Sequence, residues 1–308
     1  KANDSQLCFS SGEMFRLIES YITDNFGEKG KFRFVIAPDD TPYACTCPSC
    51  TAIGNTEKNA TPAVTELILR LSQRFPRHFF FTTSYLTTQQ VTDKQLPPNA
   101  GVIVSAINFP LRRIDGKDAK EKAFAGQLEQ WKNVTKNIYI WDYINNFDDY
   151  LTPMPILKIA RQRLQFFKQH GASGIFFNGS GYSYSSFDEM RTFVLSALLI
   201  NPELSVDNLT ASFFNQEYPA AKKWLYDYYT DLENGTQSGK RLGIYAGIRE
   251  SEKAYLTPEK FIKFYDEMND FVSNAKGKER KKLHELQTAL SYTRMEMGRE
   301  HSFDAYGY

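Results

Sequence analysis

Residues Ile138-Tyr139-Ile140-Trp141-Asp142-Tyr143 form a short run of β-branched and aromatic side chains that ends in polar groups. Four similar runs lie in the first 200 residues, and most are separated by segments with helical periodicity. Near-continuous apolar runs are typical of strands buried on both faces of a parallel sheet. The five predicted strands cover residues 32–37, 79–83, 102–106, 138–141 and 175–177.

Helix-start signals lie before the first of these strands and between later ones. Thr61-Pro62 opens a helical segment, Ser10 with Glu13 forms a potential capping box, and residues 155–169 have an apolar helical face. The alternation of strand and helix predicts an α/β fold with a parallel sheet. Five βα units are too few to close an eight-stranded barrel, so an open α/β domain and the later part of a barrel both fit.

The pattern changes after about residue 186, where Ser186 and Glu189 form a second potential capping box. Helical periodicity then dominates to about residue 299. We therefore expect an α/β region over residues 1–200, followed by an α-helical C-terminal region over residues 201–308.

Composition narrows the class of protein. The chain has 308 residues, with 37 Lys and Arg against 36 Asp and Glu, and shows no basic stripe. Nucleic-acid binding is therefore not expected, and no apolar run reaches the length of a membrane span. The first residue is Lys1 and no signal-peptide pattern follows, so we expect a processed or truncated product.

Polar and aromatic side chains follow the predicted strands at their carboxyl ends, where ligands bind in parallel α/β folds. Carboxylates and amides can bond sugar hydroxyls, and flat rings can stack on sugar faces. The expected ligand is therefore a glycan. The residues concerned are Asp39, Asp40, Tyr85, Asn108, Trp141, Asp142, Tyr143 and Asn178.

Absent motifs favour carboxylate chemistry. No His follows a strand end, and neither GxGxxG nor GxxxxGK[ST] occurs, so no catalytic cofactor is expected. Glycoside hydrolysis needs two carboxylates, and we expect Asp40 as the general acid and Asp142 as base or nucleophile. Each Asp could instead cap a helix or hold a turn. Arg112 could pair with an acidic group of the ligand, or be a surface arginine.

Cysteine spacing is the sharpest local motif. Cys45, Cys47 and Cys50 form a C-x-C-x-x-C element, and Cys8 is the fourth thiol. Four thiols match the ligand number of a structural zinc site, which we favour. Two disulfides are the alternative, favoured if the protein is exported.

Several segments together resemble the DUF4838 family of bacterial proteins. They are Leu7-Cys8, Ala37-Pro38-Asp39-Asp40 with the cysteine element, Trp141-Asp142-Tyr143 with the segment Tyr150–Pro155, Gly174–Gly179, and the helix 191–199 before Asn201-Pro202. That family is similar to barrel glycoside hydrolases such as α-glucuronidases and β-hexosaminidases. It occurs in gut and environmental Bacteroidetes, usually as exported proteins of polysaccharide breakdown.

The resemblance implies that the five strands are the fourth to eighth of a (β/α)8 TIM-type barrel, completed by a missing N-terminal part of the same protein. Asp39 and Asp40 would then end the fourth strand and Asp142 the seventh. Where β-hexosaminidases have an Asp-Glu pair, this chain has Asp39-Asp40, which leaves the identity of the acid open. The implied function is hydrolysis of a complex polysaccharide or oligosaccharide, which could be acidic. A non-catalytic carbohydrate-binding protein on the same scaffold is the alternative.

Overall fold

The computed structural model describes residues 6–179, 185–236 and 239–301. These residues form a mixed α/β structure. The strands are β1 (Arg33–Val35), β2 (Phe79–Ser84), β3 (Ala100–Ser105), β4 (Ile138–Tyr143) and β5 (Gly174–Asn178). The helices are α1 (Gly12–Phe26), α2 (Pro48–Ile53), α3 (Thr61–Arg74), α4 (Ala119–Lys132), α5 (Leu157–Gln169), α6 (Asp188–Ile200), α7 (Val206–Glu217), α8 (Lys222–Gly235), α9 (Ile248–Ala254), α10 (Pro258–Asn274) and α11 (Gly277–His301).

The five strands form one sheet in the order β1-β2-β3-β4-β5, with parallel pairing from β1 through β4. Strand order therefore matches chain order. A doubly wound open sheet reverses its order at a switch point, whereas a (β/α) barrel adds each strand beside the previous one. The arrangement is consistent with part of such a barrel.

All five predicted strands are confirmed, but two predicted helix caps are wrong. The first helix is capped by Ser11, whose Oγ accepts from the Met14 amide, while the Ser10 hydroxyl lies among the cysteine thiols. The sixth helix has Phe187 at its N-cap in a left-handed conformation, without a side-chain cap. Capping-box spacing alone does not show which of two adjacent serines faces the helix end.

Alternation along the strands gives the sheet two different faces. Ser84 pairs with Val104 across β2 and β3, and Val104 pairs with Ile140 of β4. This face is covered by α4, because the Trp131 indole Nε1 donates to Ser84 Oγ at 3.2 Å. We call it the helix-covered face, and the opposite one the open face.

The open face is aromatic and centres on Gly101. Phe81 and Tyr139, on the strands either side of β3, stack with ring centroids 4.8 Å apart. A Cβ on Gly101 would lie 2.8 Å from the Phe81 ring and 2.3 Å from the Asn137 carbonyl oxygen. The missing side chain therefore allows two rings to meet across an intervening strand.

The described chain divides into two compact units. The first comprises Lys1–Phe109, Lys117–Asp142 and Phe167–Phe176, and the second comprises Pro110–Gly116, Tyr143–Phe166 and Phe177–Tyr308. In the first, α3 packs Val64, Leu67, Ile68 and Leu71 into a core that includes Phe80. After Phe187, every regular element in the described residues is a helix. The predicted boundary at residue 200 stays a prediction.

Aromatic stacking and one buried carboxylate organise the second unit. Trp224 of α8 stacks on Phe264 and Phe271 of α10, with centroids 4.3 Å apart in both cases. The Glu233 carboxylate accepts from the Leu157 and Lys158 amides at 2.8 and 3.0 Å, and so caps the start of α5. Burial raises the pKa of Glu233.

No helix among residues 6–179, 185–236 and 239–301 is both long and apolar enough to cross a membrane.

Replacing Gly101 tests the packing of the open face. We expect Gly101→Ala to lower the free energy of unfolding by about 1–3 kcal/mol, because the new methyl group overlaps the Phe81 ring and a backbone carbonyl. Gly126→Ala in α4 is the matched control, since a Cβ there meets nothing within 4 Å. That control should raise stability by about 0.5–1 kcal/mol. Urea unfolding followed by circular dichroism measures both, and equal effects would contradict the packing argument.

Candidate functional site

The four cysteines converge on one point of the first unit. Their sulfur atoms all lie within 4.8 Å of one another, and all four are free thiols. Cys8 Sγ lies 3.5 Å from Cys47 Sγ and 3.8 Å from Cys50 Sγ. A tetrahedral zinc ion with Zn–S bonds of about 2.3 Å requires sulfur atoms about 3.8 Å apart. The cluster therefore has the size of a four-thiolate metal site.

Local structure differentiates the thiols. Cys47 is the N-cap of α2, and the Cys50 backbone N–H, which donates to Cys47 Sγ, lowers the pKa of Cys47 to about 6. Burial raises the pKa of Cys50 to about 12 and also raises that of Cys45. The Ser10 hydroxyl lies 3.1 Å from Cys50 Sγ and 3.3 Å from Cys8 Sγ. It therefore lies within hydrogen-bond distance of two of the sulfur atoms, a contact that the capping-box prediction missed.

The cluster anchors the loop after β1. Asn55 Nδ2 donates to the Cys45 carbonyl at 3.1 Å, and Asn55 Oδ1 accepts from the Ala63 amide of α3 at 3.0 Å. Near the N-terminus, Gln6 Nε2 donates to the Asp39 carbonyl at 3.1 Å. The segment that carries Asp39 and Asp40 is therefore held at both ends.

Four of the predicted glycan-binding residues come after the first three strands. Asp39 and Asp40 are both exposed, after the end of β1. Tyr85 is half-buried directly after β2, and Asn108 is exposed after β3. Because parallel strands end at the same edge of a sheet, these side chains share the carboxyl edge.

Asp142 lies elsewhere. Asp142 is completely buried, and it lies on the same strand face as Ile138 and Ile140. Trp141 has the opposite orientation and packs edge-on against Phe176 of β5, at 4.9 Å and 70°. Alternation therefore directs the Trp141 ring to the open face and the Asp142 carboxylate to the helix-covered face. The catalytic role of Asp142 stays a prediction.

The remaining predicted residues belong to the second unit. Tyr143 packs edge-on against Phe147 with centroids 5.9 Å apart, and the Asn178 carbonyl accepts from the Ile144 amide at 3.1 Å. Arg112 forms an ion pair with Asp115 at 3.5 Å. The Arg112 side chain is 17% exposed, and both the surface-arginine interpretation and the binding of an acidic ligand group by Arg112 stay predictions.

The open face carries an aromatic cavity of about 520 Å³ that the sequence analysis did not identify. Tyr139, Trp141, Phe176 and Ile103 line it, together with Arg33, whose guanidinium lies 5.5 Å from the centre of the Phe79 ring. Phe176 is 53% exposed. The aromatic residues at odd-numbered positions of β4 indicate in the sequence that one strand face is aromatic. Alternation alone does not show whether that face is open or covered.

The strand order is consistent with part of a (β/α) barrel, and the four thiols lie close enough together to hold a metal ion. Residues 1–231 match the family described as Domain of unknown function (DUF4838). Because this match covers well over half of the 308 residues, the chain belongs to the DUF4838 family. Among the curated proteins, none matches the chain.

Proposed function

We propose that this chain is a glycoside hydrolase-like protein that acts on a glycan at the carboxyl edge of its parallel sheet. The observation that supports the proposal best is the pair Asp39-Asp40, two adjacent exposed carboxylates on an anchored loop at that edge. Tyr85 and Asn108 come after the next two strands and supply a ring and an amide. Glycosidases combine carboxylates with such sugar-binding groups.

In the proposed chemistry Asp40 donates a proton to the leaving glycosidic oxygen as the bond to the anomeric carbon breaks. A second group must then stabilise the positively charged sugar or activate the attacking water. Asp39 adjoins Asp40 and is exposed, whereas Asp142 is completely buried. Asp39, or a group of the substrate itself, is therefore the better-placed partner, and Asp142 is better placed to fix the end of β4.

A non-catalytic carbohydrate-binding protein is the second candidate. The specific observation in its favour is the burial of Asp142, which leaves the exposed Asp39-Asp40 pair without a second exposed Asp at the end of β4. Binding needs only the amides and rings at the edge, and it tolerates a single pair of adjacent carboxylates.

Asp40→Asn decides between the two candidates. If Asp40 is the general acid, kcat on a cleaved polysaccharide should fall by about 10²–10⁴-fold while glycan binding is kept. Release of reducing ends from a polysaccharide panel measures turnover, and affinity electrophoresis in the same polysaccharides measures binding. Asp266→Asn, on an exposed face of α10, is the matched control.

If the unaltered chain binds a glycan and cleaves none of the panel, the binding-protein candidate replaces the hydrolase. Asp142→Asn should lower thermal stability, because it alters a fully buried carboxylate. Lost turnover with unchanged stability would instead restore Asp142 as the second catalytic carboxylate.

We further propose that the four thiols hold a structural zinc ion. This proposal is supported by the sulfur–sulfur distances of 3.5 and 3.8 Å, which agree with the distance of about 3.8 Å expected between the ligands of a tetrahedral zinc ion. Zinc would fix the loop after β1, and it would keep the thiols from pairing if the protein is exported, as we also propose. The role is structural, since four sulfur ligands leave no open position for a substrate.

Alkylation by iodoacetamide tests the zinc proposal. With zinc bound, all four thiols should resist alkylation at pH 7, and prolonged chelation should expose them. In the chelated protein Cys47 should react first and Cys50 last, because a pKa of about 6 gives mostly thiolate at that pH and a pKa of about 12 does not. Mass spectrometry of the modified peptides gives the order. Full alkylation before chelation, with zinc present, would refute the proposal.

Finally, we propose that further strands of the same natural protein complete the barrel beside β1. Parallel sheets are normally covered on both faces, yet Val35 is 51% exposed and an apolar groove of about 480 Å³ runs between α1 and β1. On the open face, the buried Trp141 Nε1 has no acceptor among the described residues. Leu17, Val35 and Phe176 are thus placed to receive additional chain.

Hydroxyl-radical footprinting tests this proposal. Leu17, Val35 and Phe176 should be oxidised in the present chain and protected several-fold in a longer natural form, because added strands would cover them. Met295, which is 60% exposed on α11, is the control and should react equally in both. Equal oxidation of Phe176 in the two forms would show that the open face stays uncovered.

A further inference from the structure

A polar groove of about 600 Å³ lies in the first unit, beside the carboxyl ends of β2 and β3. One wall is α4, and the other consists of the segments after the two strands. Four side-chain amides line it, those of Gln89, Asn108, Gln127 and Gln130. Buried Phe109 and Phe124, whose ring centroids are 5.0 Å apart, form its apolar floor.

A buried serine ties the two walls together. Ser84 Oγ accepts from Gln127 Nε2 at 3.0 Å and from Trp131 Nε1 at 3.2 Å, both on α4. The same hydroxyl donates to the backbone carbonyl of Gln89 at 3.2 Å, on the opposite wall. The groove width is therefore fixed before any ligand binds, which reduces the entropy cost of binding.

The few charges among the residues that line the groove argue against a highly charged ligand. Among the described residues that line the groove, Lys120 alone is charged and none carries a carboxylate. A single flexible ammonium is a weak basis for binding a polyphosphate or nucleic acid, which needs several cations. Side-chain amides offer both a donor and an acceptor, as sugar hydroxyls do. An apolar floor under amide walls suits a sugar ring, with its C–H faces down and its hydroxyls outward.

Gly126 is a position of α4 without a side chain, and it borders the groove. It lies in the interior of α4, next to the groove, and a Cβ there would meet no atom within 4 Å. Glycine inside a helix costs roughly 0.5–1 kcal/mol relative to alanine. No packing contact in the described residues requires it, and because Gly126 lines the groove, a longer side chain there would take up open space beside the groove.

We propose that this groove is a binding subsite for an uncharged oligosaccharide segment, held by hydrogen bonds from its amides to sugar hydroxyls. It deepens the proposed function, on which it rests, because Asn108 belongs both to the groove and to the carboxyl edge. A glycan that reaches Asp40 would extend along α4, so the subsite selects longer chains over short ones.

Gly126→Leu is the decisive variant, since it fills the groove while removing a helix-destabilising residue. The probes are cello-, xylo-, manno- and galacto-oligosaccharides of two to six units, first on an array and then by titration calorimetry. For a hexasaccharide that binds, we expect at least a tenfold rise in Kd with Gly126→Leu and a smaller rise with Gly126→Ala. Gln130→Ala, which removes one amide, should raise Kd roughly threefold to tenfold.

Gln216→Ala on α7 is the matched control, an exposed helical glutamine outside the groove, and its Kd should not change. Unchanged hexasaccharide binding by both Gly126→Leu and Gln130→Ala would overturn the subsite. If Asp40→Asn still abolished hydrolysis in that case, the proposed function would stand alone. If the unaltered chain neither bound nor cleaved any of the probes, both proposals would fall together.

Discussion

Side-chain alternation along β4 is the constraint on which the rest of the site depends. A strand directs successive residues to opposite faces, so Ile138, Ile140 and Asp142 cannot share a face with Tyr139 and Trp141. Because the isoleucines face the helices, the acidic residue at the strand end is buried with them. A displacement by one residue would have exposed Asp142 and buried Trp141. The catalytic assignment thus depends on strand register as much as on residue type.

The thiol cluster brings the loop after β1 next to a distant part of the chain. This strand has three residues and lies at the edge of the sheet, so it contributes few backbone hydrogen bonds that could hold the loop in place. Cys8 joins residues 45–50 from almost forty positions earlier in the chain, and Asn55 connects the same loop to α3. If the four thiols hold the proposed zinc ion, it would cross-link these distant segments and restrict the loop more than local turns do. Asp39 is also held directly, because Gln6 donates to its backbone carbonyl.

The strands were predictable because each is a local pattern of apolar residues, and the parallel sheet was predictable from βα alternation. The cysteine grouping was also readable, since three of its members lie within six residues. The burial of Asp142 was not predictable from the sequence, because an apolar run does not show whether its odd-numbered or its even-numbered residues face the helices. The amide groove was hidden for another reason. Gln89, Asn108 and Gln127 are far apart in sequence, and the Ser84 hydroxyl links the segments of Gln89 and Gln127 only in the folded chain.

Gly126 is where stability and function are most clearly separated. Glycines at Gly27, Gly54 and Gly171 have positive φ values, which explains them by backbone geometry alone. Gly101 is explained by packing, since a Cβ there would overlap its neighbours. Gly126 has neither reason, for it is helical and its Cβ position is open. Folding alone would be better served by alanine at that position. In the proposed subsite, the glycine would leave room for a ligand beside α4, in a space bordered by amides and an apolar floor.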